Sequence, residues 1–358
     1  MTPASPTGAP LPEPRVRAAT GGRRRSRVAV AAVTLAALLA ASLVVAVTIG
    51  PADLSVGEVA ASIAGHLGLA PLPDNALRDG IVWELRLPRV LTAACVGGGL
   101  ALVGAVMQAL TRNQLADPYL LGLSSGASLG AVIVLLLGAA VVLPLAAFAG
   151  AVVALLATLG LAGALGRITP SRMVLAGVAV SSLAAAITSF VIFWAATGDA
   201  YREVLGWLLG SLAGARWPAV AIAGGAILLL GIPLALSGRV LDAFTLGETS
   251  AASLGVNVPA VRWGMLVAAA VLTGALVSVS GAIGFVGLVL PHAVRLLIGP
   301  GHRALLPLAM LTGAVFLVWA DTLARTVFDP REVPVGVVTA LVGAPVFAAL
   351  LARRRGVA

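Results

Sequence analysis

The feature that constrains this chain most is a succession of apolar runs that carry no formal charge and are long enough to cross a bilayer. They fall at 28–50, 90–111, 118–166, 173–198, 217–238, 263–294, 304–320 and 333–352. A spanning helix needs about 20 such residues. Two runs are roughly double that length: 118–166 breaks around Gly138 to Pro144, and 263–294 around Ser278 to Gly281. Inside hydrocarbon every backbone amide must be satisfied within its own segment, so lone runs of this kind become helices. The expected fold is an all-α polytopic membrane protein with ten transmembrane helices over 28–352. Composition agrees. Sixty per cent of the residues are hydrophobic and 10% charged, with mean hydropathy +1.07. A soluble chain of 358 residues cannot bury so much apolar surface.

Charge sets the sidedness. Arginine clusters at 23–27 and 353–355 flank the first and last runs, which puts both termini inside with an even number of spans. Sixteen arginines and four acids then fall inside, against seven and ten outside, giving +12 and −3, in accord with the net +9. Residues 1–27 are expected to form a disordered basic extension, 239–262 the long cytoplasmic loop, and 353–358 a basic tail. The first run is too long for a signal-peptide core and is read as a retained helix.

Several functions are excluded. The basic residues are scattered singly between apolar runs rather than gathered into a nucleic-acid footprint. The single cysteine, Cys95, lies in an apolar run and rules out a disulfide framework. His292, in PHAVR, has no second ligand nearby, so neither a metal nor a catalytic residue is expected. All 23 basic residues are arginine, so no phosphate loop of the form G-x-x-x-x-G-K-[ST] exists and the chain is not itself an ATPase. No acid lies at the centre of a span, which disfavours an ion-coupled carrier.

Two patterns carry structural meaning. Gly97, Ala101, Gly104 and Gln108 share one face of the second span, where small residues admit a neighbouring helix and the glutamine hydrogen-bonds across it. The inner stretch LGETSAASLG reads as a short helix with Thr245 as N-cap, Glu248 at the capping-box position and Gly255 as its end.

Four blocks carry a resemblance. LRLPR at 85–89 runs through a glycine-rich helix into QALTRNQLADPYLLG at 108–122, with Gln114 where proline is usual. LDAFTLGETSAASLGVNV follows at 241–258, GAIGFVGLVLPHAVRLLIGPGHRALLP at 281–307 and WADTLARTVFDPREVPVGVVTALVGAPVFAALL at 319–351. In this order they closely resemble the FecCD permeases of type II ABC importers, the family of vitamin B12, haem and ferric-siderophore permeases.

The resemblance implies a channel-forming subunit of a bacterial cell membrane, paired with a second copy or close paralogue. It implies two cytoplasmic ATP-binding subunits, which hold ATP and magnesium, and an extracytoplasmic substrate-binding protein. No cofactor is implied for this chain. Arg86, Arg89 and Arg325 match the outer-mouth positions where acidic residues of the binding protein dock. Other roles stay open for them: snorkelling to lipid headgroups, a pair with Glu84, or an Asp321–Arg325 pair four residues apart. Leu246, Gly247, Glu248, Ala252, Leu254 and Gly255 match the loop that couples to the ATP-binding subunit. Asp199 to Glu203 with the following short helix would sit near the pore mouth. Ferric siderophore ranks first as cargo, then haem and cobalamin. The rivals are an ion-coupled secondary transporter and a non-transporting membrane scaffold.

Overall fold

A computed structural model describes residues 18–138, 142–164, 166, 169–198, 200–245, 257–328 and 331–355. Among these there are thirteen helices: α1 (Ala18–Thr48), α2 (Val56–His66), α3 (Ala76–Leu110), α4 (Leu123–Leu137), α5 (Leu143–Ala164), α6 (Pro170–Ala195), α7 (Ala200–Leu208), α8 (Trp217–Leu236), α9 (Gly238–Thr245), α10 (Val258–Ser280), α11 (Val286–Ile298), α12 (His302–Thr326) and α13 (Val335–Arg355). Seven of them, α1, α3, α5, α6, α8, α10 and α12, are long and apolar enough to cross a membrane. The shorter apolar helices α4, α11 and α13 complete the set of ten that the apolar runs call for. Helices α2, α7 and α9 lie between spans.

The boundaries differ from the expected ones in three places. Helix α1 reaches back to Ala18 through the arginine cluster, because arginine is a good helix former. The break in the 263–294 run falls at Gly281 to Phe285, a few residues later than expected, where both of these residues have positive φ (66° and 67°). Thr245 is the last residue of α9 rather than the N-cap of a following helix. The expected coupling residues Leu246, Gly247, Glu248, Ala252, Leu254 and Gly255 lie outside the described residues.

Helix α3 is the hub. Its most apolar window is 83% buried against 6% for α1, which therefore packs at the edge. Helices α8, α10, α11 and α12 all lie against α3. Small residues permit this crowding. A Cβ at Gly97 would overlap the carbonyl oxygen of Gly313 in α12, and one at Gly104 the carbonyl of Gly287 in α11. The outward faces are apolar too: Phe193, Trp194, Leu229 and Leu297 are all largely exposed, as hydrocarbon contact requires.

Two prolines shape the spans. Pro88 and Pro233 have no amide to donate and crowd the carbonyl four residues back. Each is preceded by a wider π turn, Ile81–Arg86 and Ile227–Gly231. There Leu87 donates to the Val82 carbonyl and Ile232 to that of Ile227, five residues back in both cases. The π turn in α3 ends on Arg86 and so sets the direction in which that side chain leaves the helix.

Candidate docking and coupling sites

A guanidinium taken out of water must find carboxylates or carbonyls to replace it. Arg86, Arg89 and Arg325 are only 6%, 8% and 6% exposed, so each has to answer that demand within the protein. Arg89 does so with two acids. Its Nε donates to both Asp321 oxygens at 2.9 and 3.1 Å, its Nη2 to Asp321 Oδ1 at 2.9 Å, and its Nη1 to Glu332 at 2.8 Å. Asp321 is fully buried, whereas the Glu332 side chain is 46% exposed. Planar fork-to-fork geometry of this sort is the strong form of the arginine–carboxylate contact.

The arrangement corrects the local pairing. Asp321 faces Arg89 across the bundle, and Arg325 turns instead to the carbonyl of Ala46 in α1. The Nε of Arg325 is buried and finds no hydrogen-bond partner among the described residues. Arg86 closes the end of α1: it donates to the carbonyls of Val47 (3.0 Å), Thr48 (2.9 Å) and Ala52 (2.7 Å). A helix C-terminus leaves such carbonyls unsatisfied, so a basic side chain is well placed there. Glu84 is exposed and bonds to neither Arg86 nor Arg89 among the described residues.

The small-residue face of α3 divides between two partners. Gly97 and Ala101 meet α12 at Gly313, and Gly104 meets α11 at Gly287. Gln108 extends the second contact, donating to the carbonyls of Gly287 and Leu288 at 3.3 and 3.2 Å. These carbonyls lie in the first turn of α11, just after the break at Phe285.

At the inner end, α12 has no side-chain cap of its own. Asp242 of α9 supplies one from outside: Oδ1 accepts the His302 backbone amide at 2.7 Å and lies 2.9 Å from His302 Nδ1. Arg112, at the end of α3, donates to the Phe244 carbonyl at 3.4 Å. The Arg262 guanidinium stands 6.0 Å from the centre of the Phe244 ring. Helix α9 is thus bound to α3, α10 and α12 at the point where the chain enters the loop after Thr245. The sequence did not show that Asp242 and His302 are partners. Their signal is an aspartate in the inner loop and a histidine that opens an uncapped helix.

The outer hairpin between α1 and α3 is separately braced. Ser55 and Glu58 form a reciprocal capping box on α2, and Arg78 bonds to Glu58. The Ser55 backbone amide first, then the Arg78 and Ser55 side chains, pull the Glu58 carboxyl down to about 2. His66 stacks on Trp83 with centroids 4.2 Å apart, and Trp83 leans on Trp217 at 4.6 Å. No cluster of three or more metal-ligating side chains occurs among the described residues.

Ten apolar helices, one of them buried as the hub of the rest, with their charges bound at the two ends, define a polytopic membrane permease. The chain belongs to the FecCD transport family, whose profile matches residues 17–353. It is 44% identical to an uncharacterised ABC transporter permease of Bacillus subtilis over 78% of this chain and 81% of that one. A cobalamin import permease of Halobacterium salinarum is 40% identical over 88% and 94%, and the Fe(3+) dicitrate permease FecD of Escherichia coli 42% over 81% and 93%. A solved structure described as an inward-facing metal-chelate type ABC transporter superposes with a TM-score of 0.78 at 31% identity, covering 90% of this chain and 98% of the other. The protein is therefore a multi-pass permease subunit of an ABC importer. Family membership decides against the ion-coupled carrier and the scaffold.

Proposed function

We propose that this permease passes a bulky metal chelate inward, with ferric siderophore as the first candidate cargo. The observation that carries this is chemical. Relatives at 40–43% identity are named for Fe(3+) dicitrate, hemin and vitamin B12, each a metal chelated by organic ligands. Cobalamin is the second reading, because permeases named for it match up to 88% of this chain.

ATP and magnesium belong to two cytoplasmic partner subunits, and a second copy of this chain completes the pore. The ATP-binding subunits push on the loop at Leu246, Gly247, Glu248, Ala252, Leu254 and Gly255. Helix α9 leads straight into that loop and passes the movement to α12 through Asp242 and His302. Outside, the binding protein docks with acidic side chains over Arg86, Arg89 and Arg325. Glu332 is the exchangeable partner of Arg89, since its half-exposed carboxylate is already partly hydrated and an ion pair there contributes little.

The test is uptake of radiolabelled ferric siderophore, haem and cobalamin in a host lacking this gene, with and without the gene restored. Loss and recovery of ferric-siderophore uptake supports the first reading. Loss of cobalamin uptake alone replaces it with the second. Unchanged uptake of all three removes both.

A further inference from the structure

Away from the arginine cluster, the outer ends of α4, α5, α7, α8 and α10 enclose a cavity of about 500 Å³. That lies within the roughly 300–1,000 Å³ of sites that hold a small organic ligand. Two unlike charges border it, Glu203 on α7 and Arg216 at the start of α8. They do not satisfy one another. Arg216 spends Nη1 on the adjacent Ala215 carbonyl at 3.0 Å. No other partner occurs for it, and none for the Glu203 carboxylate, among the described residues. The lining is otherwise largely apolar and includes Val142, Leu143 and Ile222.

The position decides what chemistry reaches the cavity. All five helices begin or end here, at the outer end of the spans, which is headgroup depth in a bilayer. A guest must offer an anion to Arg216, a cation to Glu203 and hydrocarbon to the apolar lining. A phospholipid with a zwitterionic headgroup offers all three. We propose that this cavity binds one outer-leaflet phospholipid bearing a primary amine, phosphatidylethanolamine. Its phosphate sits on Arg216, its ammonium donates to Glu203, and its acyl chains run along Val142, Leu143 and Ile222. A choline headgroup has no N–H to donate, and a glycerol headgroup meets the Glu203 charge with no cation. The expected order is therefore ethanolamine, then choline, then glycerol.

The experiment is native mass spectrometry of the purified full-length chain, titrated with phosphatidylethanolamine, phosphatidylcholine and phosphatidylglycerol. The wild type should retain the ethanolamine lipid about tenfold better than the choline lipid, the worth of one hydrogen bond to a charged group. Glu203→Gln should abolish that preference and weaken choline-lipid binding as well, bringing it toward that of the glycerol lipid. Arg216→Gln should weaken all three by about tenfold. Both side chains are exposed, so the variants should unfold at the wild-type temperature in lipid-free detergent. Equal retention of the ethanolamine and choline lipids, a preference for the glycerol lipid, no retained lipid, or variants that bind as the wild type does would each overturn the proposal.

Discussion

Arg89 grips Asp321 through three hydrogen bonds across 232 positions of sequence, and this one contact closes the outer ends of α3 and α12 on each other. Removing one partner strands a buried charge, which costs about 3–5 kcal/mol. Arg89→Ala should therefore lower the unfolding temperature of the detergent-solubilised chain sharply, and the double replacement Arg89→Leu with Asp321→Leu should recover much of the loss. A single variant as stable as the wild type would show that the pair is not structural.

Glu332 holds the same arginine from a half-exposed position, where an ion pair contributes at most about 1 kcal/mol. Glu332→Gln should leave stability nearly unchanged and tighten binding-protein docking, more so at low ionic strength. Arg325→Glu should weaken docking. Titration of the binding protein at two salt concentrations checks both, and affinities that ignore both substitutions would refute the exchange.

Gly104 is pressed against the Gly287 carbonyl, and Gln108 bonds to the same turn. Gly104→Ala should force α3 and α11 apart at a cost of about 1–3 kcal/mol. Gly225 in α8 faces open space, so Gly225→Ala should be neutral or mildly stabilising. Thermal unfolding of the two variants side by side distinguishes packing from a general intolerance of alanine.

Asp242 caps α12 from α9. Asp242→Ala should cost about 1 kcal/mol of stability. In the complete transporter it should reduce uptake while ATP hydrolysis continues. Replacing Glu248 and Leu254 should uncouple the two in the same way. Measuring hydrolysis and uptake on one preparation decides: a proportional loss of both, or of neither, contradicts the relay.

Glu58 titrates at about 2 rather than near 4.5, chiefly because it accepts the Ser55 backbone amide. A depressed carboxyl contributes stability that is complete above the unfolded value and is lost as pH falls through the folded one. The protection of the amides in the first turn of α2, taken relative to their intrinsic exchange rate at each pH, should thus stay constant down to about pH 4 to 5 and fall toward pH 2. Glu58→Gln should remove that dependence, and an unchanged profile in the variant would assign it to another group.

The sequence by itself determined the fold class, the count of spans and the family. A bilayer imposes a length and a polarity on each segment separately, and such constraints are written locally, run by run. It also marked the glycine face of α3, because small residues at helical spacing are a local pattern. What it could not decide was which partner each marked residue meets. Asp321 has an arginine four residues along its own helix, yet it binds Arg89 from the far end of the chain. Gly97 and Gly104 share one face but meet different helices. Asp242 and His302 lie 60 positions apart, and only folding brings α9 beneath α12 so that they meet. A buried charge selects its partner by direction and distance in three dimensions, and only the packed bundle supplies those.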